Sequence, residues 1–314
     1  MKTNNKIPLI AVVGPTASGK TEFSVNLAKK IGAQIISADS MQIYKSMHIA
    51  SAAPDIEEMS GVPHHLFEFL EYGESFSVAD YVKLASKKIL DIHSKGGRTI
   101  ITGGTGLYVN SLVDNLTFTK QHIDAELRES LSKEYDSKGG EKMLEKLSLI
   151  DEESAKRLHP NNKRRILRAF EIYITTGKTM TEQLVESRSE PSPYKPFIIG
   201  LSFSDRSILY SRIEKRVDKM LETGLLDEAK RAYEAMSKGT AVQAIGHKEF
   251  FPYFENKVTL QEAVDTLKTE TRRYAKRQLT WFNRDERIHW IFMDKTENAL
   301  SEAYSFLERT GYFA

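Results

Sequence analysis

The 314-residue sequence predicts an α/β fold, a doubly wound parallel sheet interrupted by a helical insertion. Short runs rich in Ile and Val at 7–13, 34–38 and 98–102 alternate with helical patterns such as 19–31 and 78–94. That is the rhythm of parallel strand-helix units. Phe-Ile-Ile-Gly-Leu-Ser at 197–202 and Ile-His-Trp-Ile-Phe at 288–292 read as further strands. Between about 117 and 190 strand signals vanish and charged helical patterns replace them. Loop-like segments at 115–122 and 187–196 bracket that region, the second holding Pro191, Pro193 and Pro196. The expected organisation is a core over 1–116, a helical insertion over 117–190, and the rest of the core with a basic helix over 191–314.

The first strand leads into the most informative stretch, Gly14-Pro15-Thr16-Ala17-Ser18-Gly19-Lys20-Thr21. It reads G-x-x-x-x-G-K-T between a strand and a helix, the context a phosphate loop needs. This makes the predicted sheet P-loop NTPase-like. Backbone N–H groups freed by the glycines can curl around phosphate oxygens, helped by the positive helix N-terminus. Lys20 adds a full charge, and the Thr21 hydroxyl can ligand Mg²⁺. A phosphate or pyrophosphate is expected here; the loop does not say what carries it.

Composition narrows the class. Hydrophobic residues make up 40% and charged residues 28%, ordinary for a globular protein. No apolar run approaches the roughly 20 residues of a membrane span. The apolar stretch after Lys2 and Lys6 runs straight into the phosphate loop, which argues against a signal peptide. With no cysteine, disulfides, thiolate zinc sites and a cysteine nucleophile are excluded, consistent with the cytoplasm. Net charge is only +2, yet Lys156, Arg157, Lys163, Arg164, Arg165 and Arg168 cluster without an acid. A second cluster spans 268–287, with seven Lys or Arg against Glu270, Asp285 and Glu286. Two basic patches on a near-neutral body point to a specific polyanion contact.

The second strand ends in Ala38-Asp39-Ser40, and a carboxylate there points into the ligand crevice. Asp39 reads equally well as a general base or magnesium ligand and as a turn cap. The third strand ends in Gly103-Gly104-Thr105-Gly106, where an ATPase would carry an acid for Mg²⁺. Its absence argues against a hydrolytic motor and leaves kinases and other transferases open. Arg212 and Arg216, one turn apart, can clamp phosphate oxygens, although pairing with Glu214 and Asp218 on a solvated helix face is the better reading of those residues alone. At 271–284 Arg272, Arg273, Lys276 and Arg277 interleave with Tyr274, Trp281 and Phe282, so cations could track a phosphate backbone while aromatics stack. Trp281 and Phe282 are expected in the core. His64 and His65 read as a structural loop.

Together these residues resemble the tRNA dimethylallyltransferase (tRNA isopentenyltransferase) family. The likeness runs through GPTASGKT (14–21), ISADSMQIY (36–44), GVPHHL (61–66), GGTGLY (103–108), RIEKRVDKML (212–221), QAIGHKE (243–249) and TRRYAKRQLTWF (271–282), in family order. The resemblance implies that dimethylallyl diphosphate binds with its pyrophosphate on the loop, and that N6 of adenine 37, beside the tRNA anticodon, attacks the allylic C1. The loop then stabilises a leaving pyrophosphate instead of activating water. It implies Asp39 as general base, Lys20, Thr21 and Arg216 as pyrophosphate contacts, and Mg²⁺ at Thr21. Ser40, Met41, Gln42 and Thr105 would meet RNA near the target base. Arg128, the 164–168 stretch (Arg164, Arg165, Ile166, Leu167, Arg168), Gln243, Ala244, Ile245, Gly246, His247 and Lys248 would hold other parts of the anticodon stem-loop, and Arg273 and Arg277 are further candidates. The implied partners are tRNA and the diphosphate, with no membrane and no DNA, and the chain is expected to act as a monomer.

Two departures stand out. His247 occupies a position where the family usually has tyrosine. The zinc finger that eukaryotic members often add has no cysteines here, which fits the short bacterial type. Three other readings compete: a free-nucleotide isopentenyltransferase, a P-loop small-molecule kinase, and a non-catalytic RNA-binding protein. The insertion and basic patches favour tRNA over a free nucleotide, and intact Lys20, Thr21 and Asp39 favour catalysis.

Overall fold

The computed structural model describes residues 6–118, 124–235 and 244–313. Six strands form one parallel sheet: β1 (Ile7–Val13), β2 (Ala33–Ser37), β3 (His64–His65), β4 (Arg98–Gly103), β5 (Tyr194–Ser202) and β6 (Ile288–Phe292). Their order is β3-β2-β4-β1-β5-β6, with every pairing parallel.

Period-2 alternation along β1 divides the core. Leu9, Ala11 and Val13 face one layer, built with Ile36, Ile101 and the helices α4 (Val78–Ser94) and α5 (Gly106–Val113). Ile10 and Val12 face the other, built on α1 (Lys20–Ile31) and the C-terminal helix α15 (Ala299–Arg309). Strands covered on both faces read as continuous apolar runs, which is why they are visible in the sequence. Between β2 and α4 lie the short helices α2 (His48–Ser51) and α3 (Ile56–Met59).

The chain divides into two compact units, one up to Val113 and again from Ser192, the other Asp114–Pro191. The second unit is helical: α6 (Ala125–Lys138), α7 (Gly140–Ser148), α8 (Glu152–Arg157), α9 (Lys163–Thr176) and α10 (Met180–Ser187), around a core including Leu131, Met143, Leu147 and Phe170. The first unit continues after β5 with α11 (Arg206–Glu222), α12 (Leu225–Glu234), a 3₁₀ turn (Lys248–Phe250), α13 (Phe251–Phe254) and the long α14 (Leu260–Phe282).

Two expectations are corrected. His64 and His65 form a two-residue edge strand on β2, not a loop, paired with Ile35 and Ile36. The loop expected to run to 196 ends earlier, because β5 begins at Tyr194 and takes in Pro196. Pro196 lies before Ile198, where pairing with β6 starts, so β6 needs no N–H from it. Phe282 is buried as expected, whereas Trp281 is half-buried against the same core, its Nε1–H 3.4 Å from Asn110 Oδ1.

Candidate active site

Register brings three loops to one edge of the sheet. Val13, the last residue of β1, lies opposite Gly103 of β4 and Gly200 of β5, and Ser37 of β2 lies opposite Thr102. The phosphate loop, Asp39 and the Gly104 turn therefore leave the carboxyl edge side by side, in the crevice where open α/β sheets bind ligands.

The phosphate loop is held from several directions. Gly14 has φ 147°, and a Cβ there would lie 2.3 Å from the Leu201 carbonyl oxygen. Ala17, with φ 64°, is a strained left-handed residue, and Arg212 Nε donates to its carbonyl at 2.8 Å. The Arg212 guanidinium also covers the Phe203 ring at 5.4 Å. Lys20 Nζ donates to the Pro15 carbonyl at 2.7 Å. Ser18 Oγ is buried without a hydrogen-bond partner among the described residues. Gly19 caps α1 without a side chain, so the first amides of α1 have no acceptor within the helix and are available to an anion.

Cations and carboxylate meet beside this loop. Burial and the neighbouring Arg216 push the Lys20 ammonium down to about 7, against the opposing pull of Asp39. Burial likewise lowers Arg216, and Asp39 opposes that too. Its guanidinium still stays charged. The expectation that Arg212 and Arg216 pair with Glu214 and Asp218 on a solvated face is corrected. Those acids pair across to α14 instead, Glu214 with Arg272 at 2.7 Å and Asp218 with Lys268 at 2.6 Å. The arginines turn to the loop side.

Asp39 satisfies both of its sequence readings. Oδ1 accepts the Met41 amide at 2.9 Å, a turn cap. Oδ2 lies toward Gly104, 3.8 Å from where a Cβ on that glycine would sit. Thr105 Oγ1 accepts the Ser40 amide at 2.9 Å and donates to Ser40 Oγ at 3.2 Å. Burial, then the Asp39 charge, drives the Tyr274 phenol well above its usual range, so it stays a neutral hydroxyl.

The other expected RNA contacts separate into surface and core. Gln42 is held internally, its Oε1 accepting from Ser37 Oγ at 2.9 Å and its Nε2 donating to the Ala52 carbonyl at 3.0 Å. Met41 packs partly buried against Ile43 and Tyr44. Ile166 and Leu167 sit in the core of the helical unit, so their side chains are corrected from RNA contacts to packing. Arg164 and Arg165 are exposed on the same helix. Arg128 forms a two-pronged pair with Glu171, at 2.5 and 2.9 Å, and Arg168 meets the same carboxylate at 3.3 Å. Ala244 and His247 are buried, Gly246 with them, while Ile245 is partly buried and Lys248 partly exposed. His247 cannot stack on RNA, because its Nε2 lies 2.9 Å from Glu228 Oε1 in the interior. Glu228 also accepts the Ile49 and Ala50 amides, at 2.8 and 2.9 Å, tying down α2. Gln243 lies outside the described residues. Arg273 and Arg277 are exposed on α14, Arg273 paired with Glu270 at 2.6 Å and Arg277 over the Tyr274 ring at 5.8 Å.

Sequence reasoning misses Gln278. Buried on α14, its Oε1 accepts the Thr16 amide at 2.8 Å and its Nε2 donates to the Gly104 carbonyl at 3.0 Å. No local pattern could have revealed it.

A phosphate loop running into α1, with Lys20, Arg216 of α11 and the Asp39 carboxylate in one another's field and no acidic end on β4, places the protein among phosphate-loop transferases. A family model described as IPP transferase matches residues 42–285. A tRNA dimethylallyltransferase of Halalkalibacterium halodurans is 46% identical over 305 residues, covering 96% of this chain and 97% of that one. A solved full-length tRNA isopentenylpyrophosphate transferase from Bacillus halodurans superposes with a TM-score of 0.72 at 43% identity, over 98% and 97% of the two chains. A eukaryotic dimethylallyltransferase acting on tRNA superposes with a TM-score of 0.81 at 28% identity, over 98% of this chain and 79% of that one. The chain belongs to the IPP transferase family.

Proposed function

We propose that the protein is a tRNA dimethylallyltransferase, moving the dimethylallyl group of dimethylallyl diphosphate onto N6 of adenine 37 beside the anticodon. The observation that carries this reading is Asp39 next to a β4 that ends in Gly103 and runs into Gly104 without an acid. The carboxylate lies beside the glycine turn where a motor ATPase would carry its acid. The glycines let neighbouring groups pack close: a Cβ on Gly103 would lie 2.2 Å from the Ala38 carbonyl oxygen, and one on Gly104 would lie 2.1 Å from Gln278 Nε2 and 3.8 Å from Asp39 Oδ2. The target adenine must leave its stack to reach the carboxylate.

In the reaction the N6–C1 bond forms as the C1–O bond to diphosphate breaks. Asp39 takes the N6 proton, and pyrophosphate leaves on the loop. Negative charge grows on that leaving group, where the α1 amides, Lys20 and Arg216 stabilise it most. The donor set suits Mg²⁺: the Thr21 hydroxyl at the start of α1 beside diphosphate oxygens, with no all-protein cage required. Bound there, the ion would neutralise diphosphate charge. Exposed Arg273 and Arg277, with Arg164, Arg165, Arg128 and Arg168 of the helical unit, supply the cations for an RNA backbone. No helix among the described residues is long and apolar enough to cross a membrane. We propose a cytoplasmic monomer.

The test offers labelled dimethylallyl diphosphate and Mg²⁺ with unmodified tRNA bearing A36-A37, and separately with AMP and ATP. Label on tRNA alone, lost when adenine 37 becomes guanine, supports the reading. Label on free nucleotide, or no transfer, overturns it.

A further inference from the structure

We propose that Gln278 is a positioning residue that locks the phosphate loop to the Gly104 turn, and so sets where the leaving diphosphate stands relative to Asp39. This rests on the transferase reading for what the two loops bind. The geometry itself does not depend on it.

Gln278 is 5% exposed, and both ends of its amide are spent on backbone. Oε1 accepts the Thr16 N–H of the loop after β1, and Nε2 donates to the Gly104 carbonyl of the loop after β4. A Cβ on Gly104 would fall 2.1 Å from Nε2 and 3.8 Å from Asp39 Oδ2, so amide and carboxylate flank one glycine. One turn earlier on α14, the Tyr274 hydroxyl lies beside the Thr105 and Gln278 side chains. A single helix thus reaches both loops of the site from its buried face.

The chemistry of the side chain is specific. One loop offers a donor and the other an acceptor, and only a group that both accepts and donates bridges them. A carboxylate keeps the Thr16 bond but sets an acceptor against the Gly104 carbonyl. A protonated carboxyl restores both bonds. Burial and the nearby Asp39 charge favour that protonated form, bringing it within reach of mild acid. Small misplacements of reacting groups cost about a hundredfold in rate, so this bridge governs the chemical step more than RNA affinity.

Gln278→Met and Gln278→Glu, made in the full chain, separate the bridge from simple packing. Pyrophosphate affinity with Mg²⁺, read by calorimetry, needs no transfer reaction. Single-turnover transfer and tRNA affinity are read beside it. For Gln278→Met, pyrophosphate affinity and transfer rate fall about tenfold or more at every pH, with tRNA affinity within about twofold. For Gln278→Glu, both losses are expected at pH 8 and recover toward wild type at pH 6, taken as ratios to wild type at the same pH. Wild-type behaviour in both variants, or equal pH-independent losses in both that follow melting temperature, would overturn the proposal. Wild-type protein that binds pyrophosphate but transfers nothing would refute the transferase reading instead, and the pyrophosphate comparison would still decide the role of Gln278.

Discussion

Lys20 offers a test of the site electrostatics that needs no RNA. Its ammonium sits half-buried beside Arg216, and these two effects bring it down to about 7. A bound diphosphate reverses the balance, because a nearby anion favours the charged form. Binding therefore takes up a proton wherever free Lys20 is neutral. With a value of about 7, roughly one-tenth of free Lys20 is charged at pH 8 and about one-hundredth at pH 9. If only the ammonium binds well, this group makes affinity fall about tenfold per pH unit above 7, near 1.4 kcal/mol. Calorimetry of Mg²⁺-pyrophosphate in buffers of different ionisation heat should show nearly one more proton taken up at pH 8 by wild type than by Lys20→Ala. At pH 6 that difference should vanish. Asp39→Asn should move the window to lower pH, since Asp39 holds the ammonium up. Equal proton uptake in wild type and Lys20→Ala at pH 8 would refute the placement of Lys20 in a desolvated, cation-crowded site.

Three further outcomes are expected. Arg216→Ala should slow the chemical step more than it weakens tRNA binding; a pure loss of RNA affinity, measured by filter binding, would move Arg216 to the RNA surface. Replacing Arg273 and Arg277 with Gln should weaken tRNA binding and flatten the plot of log affinity against log salt by up to about two phosphate contacts. Glu228→Ala strips an acceptor from the Ile49 and Ala50 amides and from His247. It should cost about 2–4 kcal/mol in denaturant unfolding, and a loss under 1 kcal/mol would count against the buried pair as an anchor of α2.

Legibility in the sequence followed the range of the interactions. The phosphate loop and α1 are local, so Gly14 to Thr21 announce themselves, and Asp39 follows from its place at a strand end. His64 and His65 form too short a strand for any alternation to show. Gln278 is not legible in the sequence because its partners Thr16 and Gly104 are 262 and 174 residues away. The role of Arg212 is hidden for a similar reason, its acceptor on Ala17 being 195 residues distant. Family likeness marked 164–168 as a block without saying which face of α9 is buried. The helical period does say so: Ile166, Leu167, Ala169 and Phe170 form the buried stripe, with Arg164 and Arg165 outside it. His247 shows the limit of such transfer, since its position is interior and answers to Glu228.

The most direct measurement is single-turnover transfer by Asp39→Asn with tRNA affinity determined in parallel. A positioned general base contributes about 10²–10⁴. Transfer slowed at least a hundredfold, with tRNA bound as by wild type, is the predicted result. An unchanged rate in that variant would contradict the assignment of Asp39 as the base on adenine.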